Sequence, residues 1–175
     1  MGTMPTIKTR ETSLQMPFAR NHGGVALAAF IGLTYLVAAV SSIFTVTAIP
    51  TWYAALAKPF FNPPNQVFGP VWTVLYTLVA VAAWLVWRRP DSPLRRTGLL
   101  WFGIQLGLNF IWSFVFFSAH QIGLAVIEIV LLWIAIAGTM VIFFRLSKPA
   151  GWMFVPYLAW VTFASVLNFA IWRLN

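Results

Sequence analysis

Residues 52–76 read WYAALAKPFFNPPNQVFGPVWTVLY, and this stretch separates the first two long apolar runs of the chain. Seven of its residues are aromatic, four are proline, and only Lys58 is charged. The prolines interrupt any helix, because proline lacks a backbone N–H and clashes with the preceding turn. A loop exposed to water has no physical reason to carry so many aromatic side chains. The stretch therefore predicts an irregular segment at a membrane edge, either an interfacial aromatic belt or a lid over a pocket.

The composition on either side of this stretch is that of a membrane protein. Of 175 residues, 61% are hydrophobic and 8% are charged, whereas soluble domains have about 25% charged residues. Five segments are long enough, or nearly so, to cross about 30 Å of hydrocarbon. They are residues 23–49, 70–87, 99–118, 122–144 and 151–172.

These segments predict an all-α membrane protein with one five-helix transmembrane domain at residues 23–175. Residues 1–22 are polar, and we expect them to form a mobile tail. The long loop rich in proline and aromatic residues then connects helices 1 and 2.

Positive charge predicts the orientation of the bundle. With five spans, every Lys and Arg except Lys58 and Arg173 falls on the side of the N-terminal tail. We therefore expect the N-terminus in the cytoplasm and the 52–69 loop outside, because cytoplasmic loops carry the excess of Lys and Arg. The net charge of +8 does not indicate nucleic-acid binding, since the cations lie at the ends of apolar segments. With no Cys and only three acids, no metal site is predicted.

Polar and aromatic side chains share one stripe of helix 3. Gln105, Asn109, Trp112 and Phe116 recur at helical spacing. An unpaired amide is costly in lipid, so Gln105 and Asn109 are expected to face the bundle interior. There they serve either as a polar handle for a ligand or as hydrogen-bonding groups between helices.

The opposite face of helix 3 carries small residues. Gly103 and Gly107 form a GxxxG pattern on the side away from the polar stripe. Such a pattern lets helix backbones approach closely in lipid. It predicts either a homodimer contact through helix 3 or packing within the subunit.

Aromatic stripes also follow helices 2 and 5. Helix 2 carries Trp72 and Tyr76 one turn apart. The stripe on helix 5 consists of Tyr157, Trp160, Ala164, Leu167 and Asn168. Together the stripes predict either an apolar ligand cavity or a closely packed core. Glu128 is the only acid inside a span, and it is either a functional carboxyl group or a solvated one near the outer interface.

Three motifs in order resemble a known family. The first comprises Trp52-Tyr53, Leu56, Lys58-Pro59, Pro63-Pro64, Val67-Phe68, Trp72 and Leu75-Tyr76. The second comprises Gln105-Leu106, Asn109, Trp112-Ser113 and Phe116-Phe117, and the third Pro156-Tyr157, Trp160, Phe163-Ala164 and Leu167-Asn168. This combination resembles the tryptophan-rich sensory protein/translocator protein (TspO) family, also called peripheral-type benzodiazepine receptors, over residues 25–175.

The resemblance implies a five-helix bundle, usually dimeric, that binds porphyrins such as protoporphyrin IX and haem. It also implies binding of cholesterol or of synthetic isoquinoline and benzodiazepine ligands in many members. By position, Trp52 and Tyr53 match the loop lid, and Gly103 and Gly107 match the dimer contact. The positions that match pocket residues are Trp72, Asn109, Trp160 and Ala164.

Two departures from the family pattern concern the ligand. Phe169 stands where the steroid-recognition stretch of animal members has a tyrosine, between Leu167 and Arg173. That motif requires the tyrosine and is weak even when complete. Phe60-Phe61 stands where several bacterial relatives have two tryptophans, so these rings stack without an indole N–H.

We therefore predict a receptor or transport-type protein for porphyrins and other flat apolar molecules, in tetrapyrrole or stress signalling. Porphyrin or haem is expected as ligand, no cofactor is expected to be required, and Lys58 is expected to pair with a propionate. The predicted ligand-binding residues are Trp52, Tyr53, Trp72, Tyr76, Gln105, Asn109, Trp112, Tyr157, Trp160, Ala164, Leu167 and Asn168. Charge bias and the resemblance to bacterial members favour a location in a bacterial inner membrane. Membrane lipid is then expected to surround the bundle.

Two alternatives remain open. The first is a light- or oxygen-dependent enzyme that degrades porphyrin, because tryptophans at the positions of Trp72 and Trp160 are implicated in such breakdown in some bacterial members. The second is a small proton-coupled transporter that uses Glu128. The sequence carries no recognisable nucleophile, metal site or nucleotide motif, so breakdown would depend on excitation of the ligand and on tryptophan redox chemistry. A transporter is disfavoured, because hydropathy shows no inverted repeat and only one acid lies inside a span.

Overall fold

A computed structural model describes residues 22–175 and folds them into five long helices. The helices are α1 (His22–Ala48), α2 (Phe68–Trp87), α3 (Pro93–Ser113), α4 (Ile122–Leu146) and α5 (Lys148–Leu174). All five are long and apolar enough to cross a membrane, and residues 22–175 contain no strand. The predicted all-α fold with five spans is confirmed. The predicted mobile tail lies outside the described residues, apart from His22.

The end of α1 differs from the prediction. The helix continues beyond Ala48 through a wide π-helical turn at Ile49–Tyr53. Pro50 lies in this turn, where a wider backbone path tolerates the missing N–H that would have broken an α-helix. Trp52 and Tyr53 therefore belong to the end of α1, and their predicted place in the loop is corrected.

Other helix ends also lie outside the predicted bounds, and α2 begins at Phe68 instead of residue 70. Helix α3 begins at Pro93 instead of residue 99, and the Ser92 hydroxyl caps it by accepting the Arg95 N–H at 3.2 Å. Helix α5 begins at Lys148 instead of residue 151. The prediction excluded these turns because they are charged, but long cationic side chains reach water from a helix end at the membrane surface. A short 3₁₀ turn, Asn65–Val67, leads into α2.

Helices α4 and α5 also extend two residues beyond their predicted ends at 144 and 172, to Leu146 and Leu174. Helix α3 runs on into a second π-helical turn, Phe114–Ser118, which ends where the prediction placed it. Pro156 lies inside α5, and the helix continues without a break on both sides of it.

The connection between α2 and α3 concentrates positive charge at what we call the arginine-rich end of the bundle. Asp91 accepts a hydrogen bond from Arg95 at 2.8 Å and another from Arg96. The hydrogen bond from Arg96 lowers the pKa of Asp91 below its ordinary value. The ionised carboxylate offsets part of the cationic charge, and Arg88 lies over the Trp84 ring at 4.7 Å. The positive-inside rule predicts that this end is cytoplasmic.

The helices pack in a closed ring in the order α1, α2, α5, α4, α3 and back to α1. Large rings fill the interior near the arginine-rich end, where Phe143 and Phe154 meet edge to face at 5.1 Å. Helix α1 is the least embedded member: 11% of its most apolar window is buried, against 33–39% for the other helices. Helix α1 therefore has the largest share of its residues exposed at the outside of the ring.

A tight turn joins α3 to α4 at the opposite, loop end of the bundle. His120 in this turn has a φ of 56°, in the left-handed region that few residues other than glycine adopt. Its exposed imidazole stacks on the Trp52 indole with ring centres 4.2 Å apart. This stack ties the end of α1 to the turn between α3 and α4.

The small-residue face of α3 points away from the ring. Gly103 and Gly107 are exposed, and a methyl group added at either would meet no atom within 4 Å. Exposed apolar side chains surround them: Leu100, Ile104, Ile111 and Phe114. Packing within the subunit therefore does not use these glycines, and a homodimer through α3 stays a prediction.

We expect the double substitution Gly103→Leu/Gly107→Leu to convert a dimer into a monomer, because bulky side chains hold two α3 backbones apart. Light scattering in detergent measures the mass. Gly32→Leu is the matched control, since Gly32 is also exposed with open space around it. A mass unchanged by the double substitution would contradict a dimer through this face.

Candidate functional site

A cavity of about 570 Å³ lies at the loop end of the ring, between α1, α2, α3 and α5. Its wall is mainly aromatic and aliphatic, and none of the described side chains that line it is charged. Ala39 and Ser42 of α1 and Thr73 of α2 are exposed lining residues, so the cavity opens between these two helices.

Most of the predicted ligand-binding residues line this cavity. They are Tyr53, Trp72, Tyr76, Trp112, Trp160, Ala164, Leu167 and Asn168. Their rings contact each other in pairs: Trp72 and Tyr76 have centres 5.4 Å apart, and Trp112 stacks on Phe116 at 5.3 Å. Phe68 at the start of α2 meets Trp160 of α5 edge to face at 5.9 Å. The rings converge from separate helices on one hollow, which is the cavity of the two arrangements that the helical stripes left open.

Four predicted residues do not line the cavity: Trp52, Gln105, Asn109 and Tyr157. Trp52 lies outside the wall, against Phe116 at 5.5 Å and the His120 ring. The other three are buried in the interior of the bundle. In this arrangement Gln105 and Asn109 do not reach a ligand directly.

Asn109 instead connects three helices. The Tyr76 hydroxyl of α2 donates to Asn109 Oδ1 at 2.5 Å, and Asn109 Nδ2 donates to the Tyr157 hydroxyl of α5 at 3.1 Å. All three side chains are buried. Of the two predicted roles for this amide, the structure shows the hydrogen bond between helices. Tyr76, one of its two partners, lines the cavity.

A second amide joins helices near the loop end. The Trp112 indole donates to Asn168 Oδ1 at 3.0 Å, and Asn168 Nδ2 donates to the Ile122 carbonyl at 3.2 Å. These bonds connect α3, α5 and the first turn of α4. They fix the orientation of the Trp112 ring, which faces the cavity.

Gln105 and Glu128 are buried without hydrogen-bond partners among the described residues. Gln105 is fully buried, and neither its oxygen nor its nitrogen meets a partner. Glu128 is 7% exposed, and both carboxyl oxygens are unpaired. The prediction of a solvated carboxyl group is therefore wrong. Glu128 does not line the cavity.

The loop between α1 and α2 closes over the end of the bundle through specific contacts. The Tyr53 hydroxyl donates to Asn62 at 2.8 Å, and Phe61 meets Phe163 of α5 at 6.4 Å. The Asn175 side chain pairs with the backbone of Ala57, accepting its N–H at 3.0 Å and donating to its carbonyl at 3.1 Å.

Lys58 takes part in this loop structure. Its ammonium group donates to the carbonyls of Ala54 and Leu56 at 3.1 and 3.0 Å and lies over the Tyr53 ring. It therefore caps the end of α1. Lys58 does not line the cavity, so the geometry does not place it beside a bound propionate.

The three residues that match the steroid-recognition stretch, Leu167, Phe169 and Arg173, do not share one surface. Leu167 is buried at the cavity, whereas Phe169 is half exposed and packs on Trp172 at 5.7 Å. Arg173 is exposed at the end of α5. Two residues along a helix turn the side chain by about 200°, so Leu167 and Phe169 cannot share one surface.

Sequence reasoning missed the α1 wall and the mouth of the cavity. The α1 wall includes Tyr35, Ala38, Ser41, Ser42 and Thr45, and the mouth includes Asn65, Gln66 and Phe68. A signal was present, because Ala38, Ser41 and Thr45 recur at helical spacing in an otherwise bulky span. It is a weak signal, since hydroxyl groups in membrane helices commonly bond their own backbone.

We expect Asn109→Leu to destabilise the protein by about 2–4 kcal/mol, because it strands the buried hydroxyl groups of Tyr76 and Tyr157. Thermal unfolding in detergent measures the loss. The triple variant with Tyr76→Phe and Tyr157→Phe removes the stranded groups and should recover most of it. Equal stabilities of wild type and Asn109→Leu would contradict this role.

Comparison with known proteins agrees with this architecture. The model of the TspO/MBR family matches residues 30–173. The tryptophan-rich protein TspO of Chlorobaculum tepidum is 43% identical over 155 residues, covering 86% of this chain and 96% of the relative. The protein of the same name from Archaeoglobus fulgidus is 44% identical over 137 residues, covering 77% and 86%.

A more distant match is the human translocator protein, 39% identical over 127 residues, covering 71% of this chain and 75% of the relative. The family match includes most of α1, nearly all of α5, the three helices between them and every cavity-lining residue. The chain is therefore an integral membrane protein that belongs to the TspO/MBR family.

Proposed function

We propose that the protein is a membrane receptor or transport-type protein that binds porphyrins, protoporphyrin IX or haem, in the cavity at the loop end. The observation that carries this proposal is a hollow of about 570 Å³ lined by convergent rings from four helices and by no charged side chain. That volume is within the range of about 300–1,000 Å³ common for small-molecule sites. Flat apolar ligands gain most from such a wall, because rings stack on their faces.

The polar groups of the cavity indicate how a porphyrin would be oriented. A propionate is anionic, and burying it without a cation in an apolar cavity is costly. Asn65 and Gln66 are exposed at the mouth and offer amide N–H donors there. In the proposed pose the macrocycle lies between Trp72 and Trp160, and the propionates remain at the mouth. This pose replaces the predicted pairing with Lys58.

The names of similar proteins support a receptor or transport-type role. Matching proteins include one called translocator protein and one called tryptophan-rich sensory protein, the latter from Cereibacter sphaeroides and 41% identical over 124 residues. By this analogy we propose a part in tetrapyrrole or stress signalling, in a bacterial inner membrane and as a homodimer through α3. We also propose benzodiazepine-type molecules as ligands, because the same apolar wall offers rings for stacking. The separation of Leu167 from Phe169 gives no support to a sterol surface on α5.

We expect protoporphyrin IX to bind the detergent-solubilised protein with micromolar affinity or better and to quench its tryptophan fluorescence. Trp72→Phe/Trp160→Phe should weaken binding by about fivefold to tenfold, since phenyl rings offer less stacking area. Affinity is measured by the porphyrin absorbance, because the variant removes two quenched fluorophores.

Trp152→Phe is the matched control for this titration. Trp152 is exposed on α5 and does not line the cavity. Identical titrations for wild type and the double variant would remove the cavity from the binding site.

A second candidate function is the breakdown of bound porphyrin in light. It is favoured by the position of Trp72 and Trp160, which both line the cavity and would contact an excited macrocycle. If the protein degrades porphyrin, the Soret band of the complex decays faster under illumination than that of free porphyrin in the same detergent. The double phenylalanine variant, saturated with porphyrin, should slow this decay. Equal decay rates with and without protein would eliminate the activity.

A further inference from the structure

Two exposed cations flank the short connection between α4 and α5 at the arginine-rich end. Arg145 lies in the last turn of α4, and Lys148 begins α5. Both side chains are exposed, and neither pairs with a carboxylate among residues 22–175. Three residues of extended chain span about 11 Å at most, so the two long side chains can reach one anion between them.

The neighbouring connection between α2 and α3 differs, because it carries its own counter-ion. Asp91 there pairs with Arg95 and Arg96. Glu128 is the only acid in α4 and α5, and it is buried near the opposite end of α4. Residues 1–21 are an unsuitable source of negative charge, since they carry three cations against one acid. A group that offsets Arg145 and Lys148 therefore comes from another molecule.

An exposed apolar surface lies on the membrane side of these two cations. Trp152 follows Lys148 by one turn on the same face of α5 and is 65% exposed. Its ring meets Phe144 of α4 edge to face at 5.5 Å. Val141, one turn before Arg145 on α4, is also exposed. Tryptophan favours the depth of lipid headgroups. Cations with exposed apolar side chains beside them match a molecule with an anionic head and an apolar tail.

We propose that the α4–α5 connection binds one anionic glycerophospholipid, whose phosphate lies between Arg145 and Lys148 and whose acyl chains lie along Trp152 and Val141. The arginine-rich end is predicted to be cytoplasmic, and the lipids of that leaflet supply anionic headgroups. A phosphate accepts several hydrogen bonds, and a guanidinium group can donate two at once. A zwitterionic lipid fits less well, because its own ammonium group is repelled by the two cations.

This site is independent of the function proposed for the cavity. None of its four residues lines the cavity, which lies at the opposite end of the bundle. Loss of the lipid site therefore leaves the proposed porphyrin binding untouched, and failure of porphyrin binding leaves the lipid site untouched.

Quenching of Trp152 by brominated acyl chains measures occupancy of this surface. The protein is reconstituted in phosphatidylcholine bilayers with increasing fractions of brominated phosphatidylglycerol or brominated phosphatidylcholine. The Trp152 signal is the difference between each protein and its Trp152→Phe form. We expect half-maximal quenching at an about fivefold lower fraction of the anionic lipid. Arg145→Gln/Lys148→Gln should remove this preference without unfolding the protein, since both side chains are exposed.

Arg88→Gln/Arg89→Gln is the matched control, because it removes the same charge from the same end and leaves the α4–α5 connection intact. It should keep the preference. Equal losses in the two double variants would show only diffuse attraction to the membrane surface and would overturn the site. Equal quenching of wild type by the two brominated lipids would refute it as well. Millimolar glycerol 3-phosphate should not compete. If it abolishes the preference, the connection binds a free phosphate and the lipid proposal is wrong.

Discussion

The rest of the structure depends on the pair of hydrogen bonds at Asn109. Helices surrounded by lipid gain little from the hydrophobic effect on meeting each other, so close packing and hydrogen bonds hold them together. Asn109 binds Tyr76 of α2 on one side and Tyr157 of α5 on the other. Three helices are thereby fixed at one depth. Helix α4 packs against α3 and α5, which leaves α1 as the helix with the fewest buried residues.

The cavity follows from this unequal attachment. Its inner wall is built on helices that Asn109 and Asn168 hold in register, and the bond to Asn168 fixes the orientation of the Trp112 ring. Its outer wall is α1, whose end is joined to α3 through Phe44 and through the stack of Trp52 on His120. The cavity lies between these two walls, in space that the large rings do not fill.

Hydropathy and helical spacing predicted different parts of this structure, and local backbone geometry was not predicted. Hydropathy predicted five spans because length and apolar content alone decide whether a helix crosses lipid. Helical spacing predicted the inward rings of α2, α3 and α5, since an amide such as Asn109 must avoid lipid. It did not predict that Pro50 would lie within a wide turn, or that Lys58 would fold back on helix carbonyls. Those outcomes depend on local backbone geometry that a residue pattern does not encode. The α1 wall was missed because the helical spacing of Ala38, Ser41 and Thr45 is a weak signal: small and hydroxyl residues are common in membrane helices without lining a site.

Three buried polar side chains lack hydrogen-bond partners among the described residues: Ser41, Gln105 and Glu128. Each unpaired group costs about 1–3 kcal/mol, so the rest of the fold must offset it. Gln105 and Glu128 are buried in the ring and do not line the cavity. A ligand in the cavity therefore cannot pair with them directly, and any effect on them must pass through a shift of the helices. Ser41 lies on α1 beside the cavity, but its hydroxyl oxygen is itself buried, so a ligand in the cavity reaches it only if that side chain moves. The wall ordered by Asn109 therefore provides the stacking surface for the flat ligands proposed above.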